Sequence, residues 1–148
     1  MKKNDEGQAV IELAIAMPLL ILLFLGGVEF GRLCYVGIEV TNAAQAGAAY
    51  GAQNHALASD FSGIRTVAVQ DGGNLSNLDS QWTSAGSDVT VQNLCANTYS
   101  ATPSTCTGLP QIEYVQVNTQ VTVPSLFGLY GFASTYTLHG QAIMRVEE

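Results

Sequence analysis

The apolar positions fall into two patterns along the chain. Residues 13–28 contain no charged side chain, and only Glu12 and Glu29 interrupt the stretch 9–30. That run is close to the roughly 20 apolar residues that a helix needs to cross a bilayer. The next stretch, "VGIEVTNAAQAGAAYGAQNHALA", holds helix formers and small residues without proline. It predicts that the same helix continues beyond the membrane, from about residue 8 to about residue 58. Such a helix is about 75 Å long at 1.5 Å per residue. Pro18 lies inside it, removes the hydrogen bond to the carbonyl of Ala14, and predicts a kink.

In the outer half of this helix, Val36, Val40, Ala43, Gly47, Tyr50 and Asn54 recur at spacings of three and four, so they share a face. Ala43, Gly47 and Gly51 form a ridge of small residues on which a sheet or another helix can pack closely. Gly27 and Gly31 make a G-x-x-x-G pair at the outer end of the apolar run. Two readings of the pair stay open: helix–helix association, or chance in a glycine-rich chain.

Beyond residue 58 the pattern changes. "FSGIRTVAVQD" predicts a short helix that stops at Gly72-Gly73, and a loop follows whose Trp82 docks on the core. "SDVTVQNL" and "IEYVQVNTQVTV" alternate with period two. Val115, Val117, Thr119, Val121 and Val123 face one way, and Gln116, Asn118, Gln120 and Thr122 the other. That is the signature of antiparallel strands with one buried face. "PSLFGLYGF" is a connection carrying an apolar patch (Leu126, Phe127, Leu129, Phe132), and "STYTLHGQAIMRV" is a last strand. The predicted fold is α+β: a long N-terminal helix with a transmembrane segment at about 10–33, and a small antiparallel sheet packed on its outer half. Three strands alone bury too little to be stable, so helix and sheet are read as one structural unit. The expected divisions are 1–7, 8–58 and 59–148.

Charge narrows the function. The net charge is −7, and beyond position 3 the basic residues are Arg32, Arg65 and Arg145. Nucleic acid is not an expected partner, nor is anionic lipid through the outer domain. No G-x-S-x-G, H-E-x-x-H, P-loop or G-x-G-x-x-G motif occurs. His55 and His139 are isolated, and no cofactor, metal or enzymatic activity is expected. Cys95 and Cys106 lie close together in a polar stretch and read as a disulfide of an exported domain. Cys34 reads as a small buried hydrophobe. The apolar run is followed by "GGVEFGRLCYV", without an A-x-A-like cleavage site, so it reads as a retained helix and not as a secretory signal.

The start of the chain explains the glutamate at the threshold of the apolar run. A short hydrophilic leader ending in Gly7, then Glu12 at the fifth position after it, then an apolar helix, resembles the processing site of type IV prepilins. The stretch "GQAVIELAIAMPLLILLFLGGVEFGR" is most similar to TadE-like proteins, the minor pilins of tight-adherence (Tad) systems. Val10-Ile11-Glu12-Leu13, Pro18, Glu29, Gly31 and Arg32 carry the likeness over about the first 50 residues, and the strand-rich end with "QAIMRVEE" carries it weakly. The leader is less basic than is usual in the family, and Leu13 stands where Phe or Tyr often follows the glutamate.

The resemblance implies cleavage between Gly7 and Gln8 by a prepilin peptidase. It also implies packing of the retained helix among other pilin or pseudopilin subunits on a Tad inner-membrane platform, with Glu12 and Pro18 serving assembly. The implied setting is a single pass through the bacterial inner membrane, with the N-terminus cytoplasmic and the domain periplasmic. An ionised side chain at mid-bilayer costs about 2.5–3.5 kcal/mol on insertion scales, so Glu12 calls for a partner, for which the amine freed at Gln8 is suited. The alternative is an uncleaved, membrane-anchored periplasmic binding module.

Overall fold

A computed structural model of the protein describes residues 5–96, 102–103, 112–127 and 133–147. Helix α1 (Asp5–Gly51) is followed by the single-turn α2 (His55–Ala58), α3 (Phe61–Asp71) and a 3-10 turn (Leu75–Asn77). Four strands follow: β1 (Val89–Ala96), the two-residue β2 (Thr102–Pro103), β3 (Ile112–Pro124) and β4 (Thr135–Arg145). The sheet order is β2-β1-β3-β4, antiparallel throughout. The fold is α+β, a long apolar helix whose outer half carries a small antiparallel sheet.

The helix stops at Gly51, short of the expected residue 58. Asn54 takes an extended backbone (φ −166°, ψ 165°), and its side chain accepts the N–H of Leu57 at 2.9 Å. A short polar side chain that bonds the backbone ahead of it favours a new helix start over continuation. The carbonyl of Ala52, just past the helix end, accepts the N–H of Glu147 at 2.8 Å. The segment after β4 thus satisfies one of the groups a helix leaves unpaired at its end. Pro18 sits inside α1 without ending it.

Asp60 caps α3: one carboxylate oxygen accepts the Gly63 N–H at 3.0 Å and the Ser62 hydroxyl at 2.9 Å. These bonds hold its pKa below the usual carboxylate range. Tyr50, near the end of α1, donates its hydroxyl to the other oxygen at 3.3 Å. Burial, then the neighbouring Asp60 charge, raise the Tyr50 pKa. Helix α3 therefore starts against α1 and runs back along it.

The core lies where α1 is held between α3 and the sheet. The alternation along β3 is realised: Val115, Val117, Thr119, Val121 and Val123 are all buried, joined by Val36, Val40, Ala43, Ala44 and Ala48 of α1. Trp82 is buried as the sequence predicts, and its Nε1–H donates to the Val69 carbonyl at 3.4 Å. Cys34 departs from expectation. It is free and exposed, because Leu33, Val36 and Val40 define the packed face and Cys34 lies about 100° round the helix from Leu33. Cys95 is buried and disulfide-bonded. Cys106, Leu129 and Phe132 lie outside the described residues.

Candidate functional site

The first turns of α1 hold the residues marked for processing and assembly. Gly7, Gln8 and Glu12 are helical and exposed, and among the described residues nothing approaches within 4 Å of where a Gly7 Cβ would stand. The Gln8 side-chain amide donates to Glu12 Oε1 at 3.3 Å. Residue 8 thus lies over residue 12 on one face, one turn apart, as side chains spaced by four do. A Gly–Glu spacing of five brings the residue after the glycine to the glutamate.

Over the next five turns, Leu25 and Glu29 are part-buried and the other side chains stand exposed among the described residues. Large apolar side chains from Val10 to Phe30 stand in the open; Phe24 and Phe30 are each 70% exposed. Among the described residues, α1 is the one helix long and apolar enough to cross a membrane, and the most apolar window within it is wholly unburied. Transfer of each such Leu, Ile or Phe out of water is worth about 1.5–3 kcal/mol, so this half of the helix calls for an apolar surrounding. Gly27 and Gly31 belong to this open surface; a Cβ added to either would meet nothing within 4 Å among the described residues.

The small residues of the outer half behave differently. Ala43, Gly47 and Gly51 are all buried. A Cβ at Gly47 would lie 3.1 Å from the Ala68 Cβ, and one at Gly51 only 2.8 Å from Ile64 Cδ1 and 3.1 Å from Val115 Cγ1. The small residues of α1 therefore form two sets. Ala43, Gly47 and Gly51 admit α3 and the sheet, whereas Gly27 and Gly31 face outward.

Two features escaped the sequence reading. At Val40, Thr119 Oγ1 donates to the main-chain carbonyl at 2.9 Å in a buried position. Gly140, paired with Thr119 in the sheet, comes so close that a Cβ would lie 2.7 Å from the same oxygen. Only the threonine amid the valines of β3 hinted at this. The second feature is at the boundary of the apolar run. The Glu29 carboxylate accepts the Leu126 N–H at 3.3 Å, and Arg32 Nη1 donates to the Pro124 carbonyl at 2.8 Å. Glu29 and Arg32 also approach each other at 4.0 Å. Together they hold residues 124–126, at the end of β3, against α1. The charged pair was visible in the sequence; its grip on a loop 92 residues away in the chain was not.

The first part of α1, from Gly7 through the ridge at Gly47, is matched at residues 7–49 by the family model of the TadE-like protein. The chain carries a TadE-like segment. It associates the protein with Tad pili, and pilus components are the class of partner it implies. The TadE-like segment covers the open apolar half and the helical part of the packed half, and it ends before α3 and the sheet. No curated protein and no solved structure matches the chain.

Outside the TadE-like segment, polar clusters are small. The described residues contain no group of three His, Cys, Asp or Glu side chains arranged for a metal. His55 Nδ1 contacts Glu113 Oε2 at 2.5 Å, and Asn93 donates to Glu113 Oε1 at 3.1 Å. This set ties α2 to β1 and β3. His139 is exposed on β4 and lines a polar hollow of about 190 Å³ with Asp88, Thr90, Asn118 and Gln120.

Proposed function

We propose that the protein is a minor pilin or pseudopilin-like structural subunit of a Tad-type pilus. In this reading a prepilin peptidase cuts after Gly7, and α1 stays with the mature protein as its membrane anchor and packing core. The setting is the bacterial inner membrane, crossed once, with Lys2 and Lys3 cytoplasmic and the α+β domain periplasmic. Cys95 pairs with Cys106 there. The role is structural and not enzymatic. Its partners are the peptidase, neighbouring subunits, the assembly platform and membrane lipid.

One observation carries the reading: the TadE-like match begins at Gly7 and takes in the helix half whose apolar side chains stand largely open among the described residues. Residue 8 already sits one turn from Glu12. An amine freed at Gln8, in this subunit or a neighbour, is therefore within reach of the carboxylate, and the helix N-terminus favours a negative charge there.

The test separates processing from assembly. Glycine before the cut lets the backbone approach closely where any side chain obstructs, so Gly7→Ala should leave the full-length form in the membrane. Glu12→Ala should be cleaved normally yet give fewer fibres, since an amine is left uncompensated in lipid. Intact mass in the native host and fibre counts read the two steps. Retention of Met1 in the wild type would return the protein to an uncleaved anchored module, and normal fibres from Glu12→Ala would reduce the glutamate to a charge at the membrane surface.

A further inference from the structure

We propose that the polar hollow on the sheet face turned away from α1 is a binding site for a primary ammonium group, with Asp88 as its counter-ion. The inference stands apart from the pilus reading, because it uses the outer domain alone. Along β3 the odd-numbered residues Val115 to Val123 are buried against α1, so Asn118 and Gln120 face the other way. Asp88, Gln120 and His139 lie in one row across the sheet. The Asp88 carbonyl accepts the Gln120 N–H at 2.8 Å, and Gln120 is the register partner of His139. With Ser87, Thr90 and Asn118 they line a hollow of about 190 Å³.

The site is built around a charge without a partner. Asp88 lines the hollow and is 5% exposed, and its Oδ2 is buried with no hydrogen-bond partner among the described residues. Oδ1 takes a long bond from Gln120 Nε2 at 3.4 Å. A buried carboxylate so poorly satisfied is costly, and folded proteins keep few such groups without a reason. No Lys or Arg lines the hollow. Burial first, and then the Asp79 charge, raise the Asp88 pKa, so an arriving cation relieves a cost that the empty site carries.

The unused groups select the ligand. Asp79 adds negative charge, but its oxygens already take the Gln81 and Thr122 N–H groups at 3.0 and 2.8 Å. Asn118 Oδ1 already takes the side-chain amides of Gln116 and Gln141 at 2.9 and 2.7 Å. Asp88 Oδ2, the Gln120 side-chain carbonyl and the Ser87 and Thr90 hydroxyls remain. One carboxylate beside neutral acceptors suits a cation with several N–H donors, and it repels an anion. A hard metal ion asks for more charged oxygens, and among the described residues no three His, Cys, Asp or Glu side chains converge. The guanidinium fork matches two unused carboxylate oxygens, whereas one here is engaged by Gln120. An ammonium donates in three separate directions. A half-turn of the carboxylate about its last bond exchanges the two oxygens, so either can meet the ligand.

The test uses n-butylammonium as probe, with tetramethylammonium as a cation of equal charge that has no N–H. The side-chain amide signals of Gln120 are followed by NMR on the full chain in zwitterionic micelles. Butylammonium should shift them saturably, with half the effect in the millimolar range. Asp88→Asn keeps an acceptor for Gln120 and should bind about 10- to 100-fold more weakly, the span for losing one charge-assisted hydrogen bond. Tetramethylammonium should give no saturable shift. No shift in the wild type, an equal response to tetramethylammonium, or undiminished binding by Asp88→Asn each overturns the site. The chain's own lysines, Lys2 and Lys3, both precede Gly7, so a lysine in the hollow belongs to another protein. Fibre counts for Asp88→Asn in the native host separate the sources. Fewer fibres from a folded variant put the ammonium on a lysine of a neighbouring protein, and wild-type numbers make it a free amine. A wild type without fibres would sink the pilus reading and leave the micelle result to decide the site.

Discussion

Helix α1 meets two different surroundings along its length. From Val10 to Phe30 it presents large side chains that stand mostly open among the described residues; from Val36 to Gly51 one face of valine, alanine and glycine (Val36, Val40, Ala43, Ala44, Gly47, Ala48, Gly51) is buried. The difference lies in what each half has to exclude. In the outer half, water is removed by α3 and the sheet, and their backbones approach closely because the helix offers little bulk there. Gly140 against the Val40 carbonyl is the extreme case. In the inner half, bulk is useful, because lipid or another subunit's helix has to be displaced or engaged over a wide face. One continuous helix thus joins an internal core to an external interface, and Glu29 and Arg32 stand at the junction.

The sharpest way to break the comparison is to truncate one large aromatic in each surrounding, Trp82 in the domain packed on the outer half and Phe24 on the inner half. Trp82 is 1% exposed and packs under the turn after α3, where a Cβ on Gly72 would lie 2.7 Å from its ring. Trp82→Ala should cost about 3–5 kcal/mol, the range for removing a large buried aromatic. Phe24→Ala, at a side chain 70% exposed, should leave the unfolding of the outer domain unchanged. Thermal unfolding of the full chain in detergent, followed by near-ultraviolet circular dichroism, reads both. Equal losses would mean that the inner half packs on the domain and that the division is mistaken.

A smaller effect separates the glycines. Gly140→Ala puts a methyl 2.6 Å from Thr119 Oγ1 and 2.7 Å from the Val40 carbonyl. The sheet has to lift off the helix, or the buried hydrogen bond has to give, at about 1–3 kcal/mol for an overpacked site. Gly27→Ala meets open space, and alanine is the better helix former by about 1 kcal/mol, so the folded chain should lose nothing. If Gly27→Ala keeps the unfolding midpoint and yet lowers fibre number, the G-x-x-x-G pair serves an intermolecular contact. Unchanged fibres would leave it as chance.

Much of this division is legible from the chain. The period of 3–4 from Val36 to Tyr50 and the period of two along β3 name most of the core, because each element has one buried face and the spacing of apolar residues records it. The helix end was not legible. Asn54 continues the face of Val36 and Val40 in register, and its capping bond to Leu57 depends on a local backbone choice that periodicity does not encode. Cys34 was misread because a cysteine beside an apolar run looks internal until the packed face is fixed by the sheet. The clasp of Glu29 and Arg32 on residues 124–126 is a contact between distant parts of the chain, and spacing carries no record of it. The Gly7–Glu12 offset is a pattern of a few residues in one turn, and the TadE-like match begins at its glycine.

The smallest expected effect concerns the polar side of the sheet, away from both halves of α1. Asp88 is 5% exposed; Gln120 Nε2 donates to Oδ1 at 3.4 Å, and Oδ2 has no hydrogen-bond partner among the described residues. Burial raises its pKa above the ordinary carboxylate value of 3.8, the negative charge of Asp79 raises it further, and the Gln120 bond opposes both. The folded state therefore holds this proton more tightly than the unfolded chain does. Below the unfolded pKa the carboxyl is neutral in both states and carries no penalty. As pH rises through the folded pKa, the charged form is disfavoured by folding, and stability falls. Asp88→Asn keeps an acceptor for Gln120 and removes the titration. The variant should be modestly more stable than the wild type at neutral pH, with the gain vanishing as pH drops below about 3.8. Asp60 works in the opposite sense, since its lowered pKa makes stability fall with acid. The difference between variant and wild type cancels that contribution and isolates Asp88. A variant less stable at neutral pH would mean that the Asp88 carboxylate has a cationic partner in the assembled protein, and that the polar hollow beside His139 is a contact surface.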